Sequence, residues 1–504
     1  MNELRLMTSG LERAVRRSPE KVAFRCGDEE LTFEQLHESS DRLAHWLIRN
    51  GIRPGDRVGV QLVRSVDYAT AVYGVLKARA VYVPVDPHAP VEIVQGIVAD
   101  CGVKCWLTHQ SLRRQIQRLQ RLEFTPLVGD LGQFYSGEAV KLGTESYPEE
   151  TDVAFIIYTS GTTGRPKGIT HSHRSGASYA HLVALTYGIN ETDRIGSHAP
   201  LHFDMSMLGL FVGPLVGATT VIVPEAHTKL PASLSALMEA EALTVWYSVP
   251  LALVQMWERG MLEARDLSSL RWVLYAGEAF PPSTLAQLVK CWHWARFSNV
   301  YGPAETNQCT YYHISEVDPA AAVPIGWIWD ETKGLIRDED GNLGTDHCEG
   351  ELLIHSSTMM QGYWNRPDLD DAAFEVGPDG LRYYCTGDRV RQSESGCLHL
   401  LGRTDRQIKI RGNRIELDAL ENVSMQHPGV YQGAVVASKA GENGLKLILF
   451  VVVREGAAVD SDELRAFLKR KLPPYSVPEK IQVVAELPRT SNDKVDYQRL
   501  SMLA

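Results

Sequence analysis

From Asp56 to about Val300, short β-branched runs alternate with longer stretches whose apolar residues recur at helical spacing, as in DRVGVQLV, VDYATAVYGVLKAR and VYVPV. Parallel strands need a crossover that a helix supplies, so this alternation predicts layered α/β structure with largely parallel sheets. Further strands are predicted at Val153–Tyr158, Thr219–Val223, Leu243–Tyr247, Trp272–Tyr275 and Ala295–Val300, with helical patterns such as LPASLSALMEAEA and PPSTLAQLVKCW between them. Each of these strands runs into a turn containing Ser, Thr, Gly or Pro. Open α/β sheets bind ligands beyond the carboxyl ends of their strands, so those turns are where chemistry is expected to converge.

After about Leu343 the texture changes to short alternating strands, EGELLIHS and CLHLLGR, which predict a smaller β-rich subdomain ending near Leu401. RQIKIRGNRIELDALENVSMQ then opens a strand–turn–strand–helix unit, and LKLILFVVV, DELRAFLKRKL and KIQVVAEL continue an α+β pattern. The expected fold is therefore α/β: a large multi-subdomain N-terminal part, residues 1–402, joined by a hinge to a small α+β domain, residues 403–504. A chain of 504 residues has room for such a division. QSLRRQIQRLQRL, from Gln110, reads as a solvated amphipathic helix.

A net charge of −11 gives no support to a nucleic-acid or membrane-surface partner, which would favour a basic face. Eight cysteines are scattered without a CxxC pair, which suggests neither a zinc site nor a disulfide framework. No leader-like apolar segment and no membrane-length apolar run is present, so a cytoplasmic location is expected.

The most informative stretch follows the apolar run VAFII: Tyr158-Thr159-Ser160-Gly161-Thr162-Thr163-Gly164-Arg165-Pro166-Lys167-Gly168. Glycines and hydroxyls let backbone N–H groups and side-chain oxygens wrap a polyphosphate, and the lysine adds positive charge. It is not a Walker A loop, which needs Gly before the lysine and Ser or Thr after it. Other segments fall in a recognisable order around it. Leu31–Leu36 (LTFEQL) and LKARAVYVPVDP precede it, with Arg79-Ala80 where two glycines are usual; Phe203-Asp204-Met205-Ser206 and Asn299–Thr306 (NVYGPAET) follow. GELLIHSSTMMQGYWNRPDL, Tyr384–Asp388, GRTDRQIKIRGNRIEL, LPPYSVP and SNDKVD complete the series, with Asp493 replacing a usual glycine before Lys494. In these motifs the chain resembles the adenylate-forming superfamily of acyl-CoA synthetases, luciferase and nonribosomal peptide synthetase adenylation domains, and within it the stand-alone amino acid:carrier-protein ligases for proline and other small amino acids.

The resemblance implies ATP and Mg²⁺ as cofactors and assigns roles. ATP would be held by Thr159, Ser160, Gly161, Thr162, Thr163, Gly164 and Lys167, together with Gly302 and Thr306. Tyr301 would stack on adenine, Asn299 would bond its amino edge, and Gly277, Glu278 and Ala279 would form the other wall. Asp388, helped by Arg403, would accept from the ribose hydroxyls, and Glu305 would hold Mg²⁺, a hard cation that takes carboxylate and phosphate oxygens. Lys494, Lys167, Thr159 and Glu305 are the implied catalytic groups. Asp405 matches the hinge, and Gly412 the close backbone approach to an incoming thiol arm.

Asp204 matches the aspartate that pairs with the α-ammonium in amino-acid-activating members; its local alternative is a helix N-cap. The implied substrate pocket comprises Asp204, Met205, Leu208, Tyr247, Leu274, Ala276, Val300, Gln308, Cys309 and Lys494. Most of these residues are bulky and uncharged, so the cavity should be small and offer no counter-charge to an ionic side chain; a small neutral amino acid is expected, proline or alanine ahead of serine or glycine. Gln308 either shortens the pocket or offers its amide to a hydroxyl. No carrier-like segment follows Lys494, so the expected acceptor is the phosphopantetheine thiol of a separate carrier protein. CoA, or the amine of a carrier-bound amino acid, is the alternative acceptor. A catalytically silent sensor and a phosphotransfer kinase are the readings from other classes.

Overall fold

A computed structural model describes residues 5–109, 112, 127–134, 148–159, 166–345, 348–404, 406–439, 445–454, 456–457, 459–489 and 495–504. Ser160, Gly161, Thr162, Thr163, Gly164, Asp405, Lys494 and nearly all of the Gln110–Leu122 helix prediction lie outside these residues. The chain forms two compact units: Met1–Pro87, Cys101–Tyr158 and Gly168–Thr404 make the first; His88–Asp100, Thr159–Lys167 and Asp405–Ala504 make the second. Among the described residues no helix is long and apolar enough to cross a membrane.

The first unit is a mixed α/β structure built on three sheets. The largest has nine strands, of which the central six, Val22–Cys26, Thr219–Ile222, Arg194–Ser197, Val245–Ser248, Trp272–Ala276 and Arg296–Tyr301, are mutually parallel. Antiparallel strands Glu29–Thr32 on one side and Thr310–Ile314 then Trp327–Ile328 on the other close its edges. A seven-stranded sheet runs through Val153–Thr159, Val81–Pro84, Arg57–Gln61 and Cys105–Thr108. One continuous core joins facing side chains of both sheets, Val58, Tyr82 and Phe155 on one and Phe24, Ile195 and Val245 on the other, through helices Phe33–Arg49, Asp67–Lys77 and His173–Tyr187. The opposite face of the larger sheet has its own core, where Trp246, Val273, Tyr275 and Phe297 pack on helices Pro231–Ala240, Pro250–Arg259 and Pro282–Cys291. The third sheet is antiparallel and contains Glu349–His355, Arg382–Gln392 and Leu398–Arg403.

Local chemistry explains several motifs. LTFEQL is a capping box: Thr32 Oγ1 accepts from Gln35 N–H at 3.2 Å and Gln35 Oε1 from Thr32 N–H at 2.9 Å, so this motif starts a helix. Arg79 has φ +58°, a left-handed conformation that explains why glycine is usual there. The strand expected from Leu243 begins at Val245, because Ala242 turns left-handed and Leu243 N–H bonds back to Met238 O at 3.1 Å, closing the preceding helix.

In the second unit, hairpin strands Gln407–Ile410 and Asn413–Glu416 lead into helix Leu417–Ser424, followed by a three-stranded sheet of Val430–Lys439, Leu445–Val453 and Lys480–Val483. Arg411 and Gly412, φ +53° and +74°, form the two-residue hairpin turn, whose geometry demands positive φ at both positions. Glu421 accepts from Arg406 at 2.9 Å and from Tyr497 Oη at 3.1 Å, and the Arg406 guanidinium lies 3.6 Å from the Tyr497 ring centroid. This cluster ties the start of the unit to its last helix, Tyr497–Leu503.

Candidate active site

Strand Arg296–Tyr301 carries the site's two halves on its two faces. Side chains alternate along a strand, so Asn299 and Tyr301 point one way and Val300 the other. On the Val300 face, strand register sets Tyr247 beside Leu274, and Ala276 beside Val300 and then Tyr311, at the carboxyl ends of the parallel strands.

On the first face, Tyr301 Oη donates to Asp388 Oδ2 at 2.5 Å, and Arg403 Nη1 donates to Asp388 Oδ1 at 2.7 Å. Asp388 and Arg403 are directly paired across their strands, and Asp388 N–H bonds to Thr386 Oγ1 at 3.1 Å. Burial first, then the Asp388 charge, pushes the Tyr301 phenol well above its ordinary pKa, so it remains a donor. A carboxylate has about four acceptor sites, so Asp388 retains capacity for hydroxyl donors. Asn299 Nδ2 donates to Pro324 O at 2.8 Å, which fixes the amide. Gly277, φ +101°, starts the turn bearing Glu278 and Ala279 after strand Trp272–Ala276.

The loop after this strand is held from several sides. A side chain at Gly302 would meet Asn307 O at 2.2 Å and Gln308 Cα at 2.7 Å, so only glycine lets the loop fold back. Thr306 N–H bonds to Pro303 O at 2.9 Å, and Thr358 Oγ1 donates to Thr306 O at 2.7 Å. His171 Nε2 donates to Ala304 O at 2.9 Å; a carbonyl only accepts, so the proton is on Nε2. Burial lowers the His171 pKa to about 4, and its ring stacks on Phe155 at 4.8 Å. Glu305 is fully buried, and its Oε1 accepts from Tyr363 Oη at 2.7 Å. One hard carboxylate suits Mg²⁺, which is ordinarily held by one or two carboxylates together with phosphate oxygens and water. Thr159 ends strand Val153–Thr159, and among the described residues its buried Oγ1 has no hydrogen-bond partner. Lys167 opens the following strand, Lys167–Ser172.

On the second face, Asp204 sits in a 3₁₀ turn, Asp204–Ser206, whose N-cap position is Phe203; Asp204 Oδ1 accepts from Met205 N–H at 2.8 Å. The chain continues as a single π turn, Leu208–Val212, of a kind often found at functional sites. Leu208, Leu274, Ala276 and Val300 are all buried in the same core. Gln308 Nε2 donates to Tyr247 Oη at 2.8 Å and to Tyr179 Oη at 3.3 Å. Burial raises both phenols well above their ordinary pKa, and the Asp204 carboxylate adds to it. Cys309 departs from its expected place: it faces the Tyr301 side, packs with Ile325, Ile336 and Leu352, and bonds through Sγ to Tyr301 O at 3.6 Å. Sequence reasoning missed Tyr179, Tyr363 and His171. The strand that opens at Lys167 offered a signal for His171, but the two tyrosines reach the site through long-range packing.

Residues 11–364 match the AMP-binding enzyme family and residues 419–494 match the AMP-binding enzyme C-terminal domain. The chain is 31% identical over 500 residues to an L-proline--[L-prolyl-carrier protein] ligase of Pseudomonas fluorescens, covering 98% of each. The chain belongs to the AMP-binding enzyme family. As a member it is an AMP-forming ligase. It is also 32% identical over 498 residues to tyrocidine synthase 1 of Brevibacillus parabrevis, of which it spans 43%. Among solved structures, the amide bond synthetase McbA from Marinactinospora thermotolerans superposes with a TM-score of 0.85 at 25% identity, covering 98% of this chain and 99% of that one. The Vibrio cholerae adenylation domain AlmE, solved with glycyl-adenosine-5'-phosphate, shares the fold of this AMP-binding enzyme at a TM-score of 0.84 and 24% identity, covering 99% and 97%.

Proposed function

We propose that this AMP-binding enzyme activates a small neutral amino acid as its adenylate and passes the aminoacyl group to the phosphopantetheine thiol of a separate carrier protein. The observation that carries this reading is the two-faced strand: Asn299 and Tyr301 turn toward the Asp388–Arg403 pair, while Val300 turns toward the pocket of Tyr247, Leu274 and Ala276. ATP on the first face and an amino acid on the second would bring carboxylate and α-phosphate together at the strand's carboxyl end. Similarity to a prolyl-carrier protein ligase over 98% of both chains supports both the amino acid and the carrier. Proline and alanine lead on pocket residues, with serine and glycine behind them.

In this reading the substrate carboxylate oxygen attacks the α-phosphorus, the bond to the bridging oxygen of the β-phosphate breaks, and pyrophosphate leaves with that electron pair. Asp204 holds the α-ammonium. Asp388 and Arg403 hold the ribose, Tyr301 and the Gly277–Ala279 turn enclose adenine, and Thr159, Ser160–Gly164, Lys167 and Lys494 stabilise phosphate charge. Mg²⁺, bound beside Glu305, would neutralise charge on the departing phosphates. The thiol sulfur then attacks the carbonyl carbon, the bond to AMP breaks, and the thiol proton is lost to solvent. Asp405 would be the hinge between the two steps, with Gly412 near the thiol arm; the hairpin turn alone already requires a positive φ at Gly412.

The test is intact-mass analysis of phosphopantetheinylated carrier domains incubated with enzyme, ATP and single amino acids, with CoA in a parallel arm. A carrier gaining one aminoacyl mass supports the reading. Aminoacyl-CoA with unloaded carriers would instead place the chain among CoA-dependent members.

A further inference from the structure

The segment that carries Asp204 is held from behind by side-chain hydroxyls, and its sequence explains the need for them. Met207 N–H bonds back to Asp204 O and Met205 O, so the turn Asp204–Ser206 runs without a break into the π turn Leu208–Val212 and then helix Gly213–Val216. In α spacing a backbone N–H serves the carbonyl four residues back, and in π spacing the one five back. For position 214 those carbonyls belong to Leu210 and Gly209, but Pro214 has no N–H to give. Side chains bond these same carbonyls: Tyr73 Oη donates to Leu210 O at 2.9 Å, and Thr220 Oγ1 donates to Gly209 O at 2.8 Å. Tyr73 comes from helix Asp67–Lys77 and Thr220 from strand Thr219–Ile222, and both are fully buried. The turn is pressed onto Thr220: a Cβ at Gly209 would meet Thr220 Cγ2 at 2.9 Å, and one at Gly213 would meet Thr220 Oγ1 at 2.5 Å. The Tyr73 ring packs on Phe211 of the same turn, 5.8 Å between centroids.

We propose that Tyr73 and Thr220 are positioning residues for amino acid binding: their hydroxyls stand in for the N–H that Pro214 lacks, fix the π turn, and thereby place the Asp204 carboxylate. The inference rests on the reading of Asp204 as the partner of the substrate α-ammonium. A buried carbonyl without a donor is costly. A π turn released from either hydroxyl relieves that cost by shifting, and the contiguous Asp204 turn shifts with it. Because the α-ammonium is common to every amino acid, Tyr73 and Thr220 act on binding of the whole substrate class and not on the choice among side chains.

The test is amino-acid-dependent exchange of pyrophosphate into ATP by Tyr73→Phe and Thr220→Val, with urea unfolding of both in parallel. Each variant removes one hydroxyl and keeps the apolar packing, and if one does not fold the other carries the same comparison. Each should raise the KM for every amino acid that the wild type accepts by about tenfold and leave the KM for ATP unchanged. Thr220→Ser, which keeps the hydroxyl, should retain the wild-type KM. Pro214→Ala returns a backbone N–H to the turn, so adding it to Tyr73→Phe should recover most of the lost amino acid affinity, whereas a loss caused by packing would not be recovered. An unchanged amino acid KM in both single variants, whatever their stability, would overturn the proposal and leave amino acid adenylation standing. So would a KM for ATP that rises in step, or a failure of Pro214→Ala to rescue. A wild type that exchanges with no amino acid at all would overturn the proposed function and this inference together.

Discussion

Tyr301 Oη and Asp388 Oδ2 are 2.5 Å apart, joining a residue of the parallel sheet to one of the antiparallel sheet. Asp388 is almost fully buried and shares its other oxygen with Arg403. Removing one partner of a buried pair typically costs about 3–5 kcal/mol, so Asp388→Ala is expected to lose stability as well as ATP affinity. Tyr301→Phe separates the two effects. It keeps the ring and the charge pair, and should leave the KM for ATP within several-fold of wild type while Asp388→Ala raises it by at least about tenfold. Urea unfolding and ATP titration of both variants check this.

Asp204 makes a separate prediction. Its carboxylate is proposed to meet the α-ammonium common to every amino acid, so Asp204→Ala should weaken all amino acid substrates together, by about 3–5 kcal/mol in kcat/KM, with the KM for ATP little changed. Selective loss for one amino acid would assign Asp204 to the side-chain pocket instead.

The loop bearing Glu305 should respond to acid through His171. Its folded-state pKa is lowered to about 4 by burial, against 6.5 for an ordinary histidine. Between these values the unfolded chain binds the proton and the folded chain does not. Stability from this group is therefore present above about pH 6.5 and is lost as pH falls toward 4. His171→Gln should flatten the pH dependence of unfolding in that window, measured by urea melts from pH 7 to 4. An unchanged slope would show that His171 does not carry the effect; His173, also lowered to about 4, would be next.

Lys494 and Asp405 should separate the two half-reactions. Arg406, next to Asp405, and Tyr497, beyond Lys494, are joined through Glu421, so the two ends of the small domain are expected to move together. Lys494→Ala should slow adenylate formation by about 100-fold or more, the cost of one transition-state donor, and spare transfer from preformed aminoacyl-AMP. Asp405→Pro, which restricts φ at the proposed hinge, should spare adenylation and impair transfer. Single-turnover assays of each step decide; equal losses in both would reject a two-orientation cycle.

Much of this arrangement is legible from residue order. Parallel strands ending at Ser, Thr, Gly and Pro turns follow from the alternation of β-branched and helical runs, and Tyr301, Asp388 and Arg403 follow from ordered motifs. What escapes depends on contacts made far along the chain. Tyr179 is separated by 129 positions from Gln308 and looks like any aromatic residue on a helix. Tyr363 reaches Glu305 through the pairing of Gly362–Tyr363 with the strand Lys167–Ser172. Motif position alone sends Cys309 to the substrate pocket, but it follows Gln308 and turns to the opposite side.

Amino-acid-dependent exchange of labelled pyrophosphate into ATP, without any carrier, tests the central claim most directly. Asp204 and Asp388, on opposite sides of the strand Arg296–Tyr301, are proposed to serve the two substrates of one adenylation step. Exchange should therefore require ATP, Mg²⁺ and a small neutral amino acid, and should fall sharply in both Asp204→Ala and Asp388→Ala. Exchange supported by carboxylic acids that lack an α-amino group, and unaffected by Asp204→Ala, would contradict the account.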